Sequence, residues 1–135
     1  MTRSEAKNIL MKEFITEYAS HTPVAYPNNE EFVKPTNAPW VRFLVEEITT
    51  KQNTIGKPGN RRYGRLGLIA YQVFIPNNTG TYEGDILCEK INNIFEGKRF
   101  GSINCWDGKY IPFGINAQDL YQFNGSISYT FDETK

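Results

Sequence analysis

The spacing of apolar residues along the chain alternates between a helical and an extended period. Leu10, Phe14 and Tyr18 recur every four residues, which predicts an amphipathic helix over residues 4–18. The helical spacing returns between residues 82 and 95 and predicts a second helix, whose apolar face carries Ile86, Leu87, Ile91, Ile94 and Phe95. We therefore expect two helices separated by extended segments.

Strand formers and alternating patterns fill most of the remaining chain. They predict strands over residues 24–26, 40–48, 61–75, 100–106, 110–115 and 121–131. Asp107-Gly108 lies between two of these segments and predicts a hairpin turn, because Asp-Gly adopts the tight turns that join antiparallel strands. The last strand alternates most cleanly. Gly125 interrupts its apolar face, which predicts either a bulge or close packing there.

The order of these elements predicts an α+β fold: a mostly antiparallel mixed sheet with two helices packed on one face. The strands over residues 40–48 and 61–75 form an extended hairpin with a long, polar, glycine-containing connection. A length of 135 residues without an internal repeat predicts a single domain over residues 1–135.

Composition narrows the class of protein further. The 15 basic and 15 acidic residues leave a formal net charge of zero, which argues against a dedicated nucleic-acid binder, since such proteins neutralise phosphates with an excess of Lys and Arg. The 9 Phe, 8 Tyr and 2 Trp indicate a folded core rather than a disordered chain. No apolar run approaches the ~20 residues of a membrane helix, and the N-terminus lacks the core of a signal peptide. We therefore expect a soluble cytoplasmic protein with no membrane partner.

Residues capable of chemistry are sparse. His21, Cys88 and Cys105 are scattered and do not show the clustering of a zinc site or the pairing of a nucleophile with a base. We expect His21 at the surface and both cysteines buried as small apolar residues. Neither the phosphate-binding motif GxxxxGK[ST] nor the dinucleotide-binding motif GxGxxG occurs. The sequence therefore predicts a protein that is not an enzyme and has no catalytic residues, cofactor or metal.

One charge cluster stands apart. Residues 51–65 contain five cations and no acid: Lys51, Lys57, Arg61, Arg62 and Arg65. Two interpretations account for this cluster equally well. It is either a solvated hairpin loop or a basic tip that docks on an acidic protein surface or faces phosphate. The five residues are therefore candidates for a partner or subunit interface, and both interpretations stay open.

Several short phrases of the sequence match a known family. They are Pro39-Trp40-Val41-Arg42-Phe43 entering a strand, the basic Gly59-Asn60-Arg61-Arg62-Tyr63-Gly64-Arg65, and Tyr71-Gln72-Val73-Phe74-Ile75-Pro76 before the second helix. Together with the order of helices and strands around them, these phrases make nearly the whole chain resemble the small tail terminator, or tail completion, proteins of siphophages and prophages.

The resemblance implies a structural virion protein with an α+β fold and no catalytic residues. Proteins of this kind cap the tail tube at its final length and form a ring, commonly a hexamer, that joins the tail to the head. The implied partners are further copies of the chain, the tail tube protein and a head-side connector, while DNA passes through the lumen without sequence-specific binding. The implied location is the host cytoplasm during assembly and then the head-proximal end of the virion tail.

Two alternatives stay open beside the tail terminator. One is a head–tail connector or neck protein of similar size, which would bind the capsid side rather than the tube. The other is a small nucleic-acid-binding protein that uses the basic residues 51–65, and it predicts an affinity for DNA that falls steeply with salt.

Overall fold

The computed structural model describes residues 1–19, 21–29 and 32–135. The elements follow in the order α1 (Arg3–Tyr18), β1 (Val24–Ala25), β2 (Trp40–Gln52), β3 (Arg62–Pro76), α2 (Tyr82–Phe95), β4 (Arg99–Phe100), β5 (Ile103–Ile115) and β6 (Leu120–Thr134). The predicted α+β class is confirmed. Both predicted helices are present, and the second has the predicted bounds.

The strands form one six-stranded sheet in the order β1-β2-β3-β6-β5-β4. β1 pairs in parallel with β2, and the other pairings are antiparallel, so the sheet is mostly antiparallel and mixed, as predicted. β3 lies between β2 and β6 and pairs with β6 over its whole length, from Arg62↔Thr134 to Pro76↔Leu120. The long strands β2, β3 and β6 therefore form the centre of the fold.

Both helices pack on the same face of this sheet. Phe14 of α1 stacks on Phe43 of β2 with 3.8 Å between the ring centroids, and the Tyr71 hydroxyl of β3 donates a 2.7 Å hydrogen bond to Asn92 Oδ1 of α2. Phe43 and Tyr71 are directly opposed in the β2–β3 pairing, so their side chains share one face. The predicted stripe of α1 supplies its side of this core: Ala6, Leu10, Phe14 and Tyr18 are buried.

The region predicted as two strands joined by an Asp-Gly turn is instead one strand, β5. Cys105 pairs with Tyr129 and Gly108 pairs with Ile127, so three steps along β5 match two steps along β6, and the extra residue forms a β-bulge. The hairpin turn lies earlier, at residues 101–102, between β4 and β5. The prediction was wrong because continuous pairing along the 15-residue strand β6 outweighs the local turn preference of Asp-Gly.

The break in the apolar face of β6 at Gly125 comes from close packing. The Tyr71 ring lies where a β-carbon on Gly125 would stand, and the β3–β6 register runs through this pair without a shift. The Phe123 ring crowds Gly84 of α2 in the same way. Of the two predictions for Gly125, close packing is therefore the one that the structure supports.

Candidate functional site

The five cations predicted at an interface lie towards one end of the sheet, where β2 and β3 are connected. The β2–β3 pairing leaves residues 53–61 as the connection. Lys57 and Arg61 lie in this connection, whereas Lys51 and Arg62 lie at the adjoining strand ends. Arg61 is half-buried and the other three are exposed. We call these four residues the basic hairpin end.

Hydrogen bonds hold the backbone of this connection. Arg61 Nε donates to the Gly56 carbonyl at 2.9 Å, and the Arg62 amide donates to Thr54 Oγ1 at 2.8 Å. The backbones of Arg61 and Lys135 exchange hydrogen bonds of 3.1 and 2.8 Å. The end of β6 therefore brings a further cation, Lys135, to the basic hairpin end, although it lies far from the other cations in sequence.

Arg65 is placed differently from the other four cations. Its side chain is 2% exposed, and Nη2 donates to Glu133 Oε1 at 2.8 Å while Nη1 donates to Thr50 Oγ1 at 2.7 Å. Glu47 Oε1 lies 3.9 Å from Nη1. The guanidinium is thus engaged inside the chain and ties β2 and β6 to β3. An interface role for Arg65 stays a prediction. The burial of its side chain argues against that role.

An apolar surface that the sequence analysis did not identify lies along the outer edge of β5. β4 pairs with β5 only at residues 103–104, and further along no strand of the described chain covers this edge. Ile111, Phe113 and Ile115 are 63, 60 and 58% exposed there. We call these three residues the β5 edge.

The backbone of this segment limits how the edge can be used. Pro112 pairs with Phe123 of β6 and, like other prolines of edge strands, it has no backbone N–H to donate. A second bulge, between Pro112 and Gly114, leaves Phe113 outside the pairing. Both features discourage the addition of a further strand, so the edge presents side chains rather than a hydrogen-bonding ladder. The one sequence signal was Ile-Pro-Phe-Gly-Ile, which breaks the alternation of an ordinary half-buried strand.

A groove of about 530 Å³ lies between the residues that follow α1 and the start of α2. Its walls are mostly apolar but include one acidic side chain: Pro23, Pro39, Tyr82, Glu83, Ile86 and Leu87 contribute to them. Tyr82 and Ile86 are 78 and 41% exposed. We call this cleft the α1–α2 groove. His21 also lines it and lies at the surface, as predicted.

The cysteines are buried and unpaired, as predicted. Burial raises the pKa of the Cys88 and Cys105 thiols to about 12, so both are protonated at neutral pH. Among the residues that the structure describes, no group of three His, Cys, Asp or Glu could hold a metal ion. Within the same residues, no helix is both long enough and apolar enough to cross a membrane.

A chain with a basic end, an apolar edge and an apolar groove has the features of a protein that acts through contacts with other proteins. The family model described as phage tail terminator protein matches residues 7–105, from α1 to the start of β5. The chain therefore belongs to the phage tail terminator family, which confirms the resemblance found in its sequence. This family consists of structural virion proteins, so the chain has a structural role in a phage tail and interacts with other tail or head components.

Solved structures share the fold. One such chain superimposes with a TM-score of 0.65 at 15% sequence identity, over 92% of this chain and 94% of its own length. At this identity the likeness concerns the fold alone. No curated protein matches the chain.

Proposed function

We propose that the chain caps the tail tube when the tube has reached its final length and forms the ring through which the tail joins the head. The family match over residues 7–105 carries this proposal. A ring subunit between tube and head has to contact like copies at its sides and different proteins above and below. It therefore needs separate surfaces, and the described surfaces support the proposal because they are separate.

The candidate surfaces lie far apart along the strands. The pairings align Trp40 with Phe74, Gln122 and Gly114, so the β5 edge and the α1–α2 groove lie at this end of the sheet. β2 runs 13 residues from Trp40 to Gln52 beside the basic hairpin end. At about 3.3 Å per strand residue the two ends are roughly 40 Å apart. A partner bound at one end therefore leaves the other end free.

We assign the basic hairpin end to an axial partner, the tail tube protein or the head-side connector. Its four cations would match an acidic protein surface, and such charges steer association and fix register. DNA passing through the lumen could meet the same cations through its phosphates, without sequence-specific contacts. Arg65 is left out of this surface because its guanidinium is bonded to Glu133.

The test reverses three charges of the basic hairpin end in the variant Lys57→Glu, Arg61→Glu, Arg62→Glu. A phage that lacks the gene is complemented with this variant, and tail lengths are measured by electron microscopy alongside the yield of infectious particles. We expect unjoined heads and tails of abnormal length, because the axial partner meets a surface of the wrong sign.

The matched control reverses three exposed cations of the helices, Lys7→Glu, Lys12→Glu and Lys90→Glu, and changes the net charge by the same amount. We expect this variant to restore normal particles. Normal particles with the hairpin variant would remove the basic hairpin end from the interface. Normal tails in a phage without the gene would contradict the terminator function itself.

The two alternative functions predict different partners. A head–tail connector or neck protein would co-purify with the capsid-side adaptor and not with the tube protein. A nucleic-acid-binding protein would bind DNA at ~50 mM salt and lose it steeply as salt rises. The burial of Arg65 and the formal net charge of zero favour the terminator over the nucleic-acid binder.

The remaining parts of the proposal concern assembly. The chain acts as one domain over residues 1–135, and six copies close the ring. Assembly takes place in the host cytoplasm, and the ring then stays at the head-proximal end of the tail. Light scattering gives the number of copies, and negative-stain images show whether the assembly has a central hole.

A further inference from the structure

We propose that the ring closes through a head-to-tail contact in which the β5 edge of one copy enters the α1–α2 groove of the next copy. Phe113, flanked by Ile111 and Ile115, would pack against groove walls that include Tyr82 and Ile86. This inference rests on the proposed function, because it specifies which surfaces a ring-forming chain uses on itself.

The β5 edge has the features of a surface that becomes covered. Its three large apolar side chains lie within five residues, and each is more than half exposed. The β5–β6 register places Ile111 on the face of Asn124 and Ile115 on the face of Tyr121, so exposed apolar side chains lie on both faces of this edge strand, and clusters of exposed apolar side chains mark interaction sites. Pro112 and the bulge at Phe113 discourage strand addition. The surface that binds the β5 edge therefore has to be a cleft that receives side chains.

The placement of edge and groove favours a second copy as the occupant. Both lie at the end of the strands marked by the aligned residues Trp40 and Gly114, but they are different surfaces: the groove opens between α2 and the residues before β1 and β2, whereas the edge belongs to β5. One wall of the groove is the first turn of α2, which packs on Phe123 of β6, and the other wall is formed by residues just before β1 and β2. A contact between two different patches of a subunit is heterologous, and its repetition closes a ring when the rotation allows.

The β5 edge and the α1–α2 groove also match in charge and size. Lys109 lies two residues from Ile111 on the edge strand, whereas Glu83 lines the groove, so opposite charges flank the two apolar surfaces. The formal net charge of zero leaves copies of the chain without overall repulsion. The groove of about 530 Å³ lies within the size range of clefts that enclose a drug-sized group, which is larger than one Phe side chain.

The test compares Phe113→Glu with Ile86→Glu by light scattering over a concentration series. Both side chains are exposed, so the substitutions leave the core intact. We expect each variant to fall to the mass of one chain, 15.5 kDa. An equimolar mixture should reach twice that mass, because the first variant keeps its groove and the second keeps its edge. Ile55→Glu is the control: Ile55 is a fully exposed apolar residue at the other end of the sheet, and its variant should keep the wild-type mass.

The flanking charges give a second test. Lys109→Glu and Glu83→Lys each place like charges across the contact, so each should raise the concentration at which the ring forms. The chain carrying both substitutions should form rings at the wild-type concentration again, because the pair is restored with its signs exchanged. A double variant that assembles worse than either single variant would contradict the pairing.

The other outcomes are equally decisive. A wild-type ring that survives both Phe113→Glu and Ile86→Glu would overturn the edge–groove contact and leave the terminator function standing. A mixture of the two variants that stays monomeric, or a wild-type chain that is monomeric at about 1 mM, would overturn the contact as well. The terminator function fails independently, if a phage without the gene builds normal tails.

Discussion

Replacing Glu133 by Ala would leave the Arg65 guanidinium buried without its closest anion. The side chains of this pair are 2% and 12% exposed, and the charged atoms are 2.8 Å apart. Removing one partner of a buried ion pair costs about 3–5 kcal/mol, because the remaining charge is uncompensated. Thr50 and the more distant Glu47 stay within reach of Arg65, so we expect a smaller loss of about 2–3 kcal/mol.

The loss is measured as the free energy of unfolding in urea, with an unchanged dependence on urea concentration as the sign that only stability has changed. The same loss should lower the melting temperature by roughly 10 °C in a chain of this length. Asp132→Ala removes the same charge from the neighbouring, exposed position. It should change stability by less than about 0.5 kcal/mol.

A second variant separates the buried charge from loss of packing. Arg65→Met combined with Glu133→Leu replaces both charges by apolar side chains, which is often neutral for a buried pair. We expect this double variant to recover most of the stability lost in Glu133→Ala. Equal stabilities of Glu133→Ala and Asp132→Ala would refute the reasoning, because they would show that the Arg65 network is open to water.

Two further predictions concern the core. Gly125→Ala should lower the free energy of unfolding by about 1–3 kcal/mol, because the new β-carbon meets the Tyr71 ring. Adding Tyr71→Leu to the same chain should recover part of that loss. If the effects of the two substitutions on urea unfolding are simply additive, the contact is contradicted. Stability should also fall as pH rises from about 9 towards 12, since the unfolded chain releases the thiol protons of Cys88 and Cys105 near pH 9 while burial raises their folded pKa to about 12. The variant Cys88→Ala, Cys105→Ala should show a weaker fall between pH 8 and pH 10.5, and an unchanged slope would contradict the assignment.

The helices and the alternation of β6 were predictable because their signals are local. The spacing of Leu10, Phe14 and Tyr18 alone places them on one face of a helix, and all three are buried in the structure. The interruption at Gly125 was visible in the sequence, but only the β3–β6 pairing shows that Tyr71 occupies the space.

The Asp-Gly segment shows where local reasoning fails. Its turn preference is a property of a few residues, whereas the pairing of β5 with β6 extends over most of both strands. The longer-range pairing prevails, and Gly108 becomes part of a bulge. The backbone N–H of Gly108 donates to Glu96 Oε2 at 2.6 Å. No property of the segment by itself reports the presence of that partner strand.

The candidate surfaces divide in the same way. The sequence by itself determined the α+β class, the family and the concentration of cations between residues 51 and 65, because these depend on residue order and composition. Only the tertiary structure decided that Arg65 is withdrawn from that cluster, since its partner Glu133 lies 68 residues away in sequence. Only the strand order decided that the exposed Phe113 lies on a strand with an open edge, because an edge is open when no neighbour pairs with it, and pairing depends on the whole sheet.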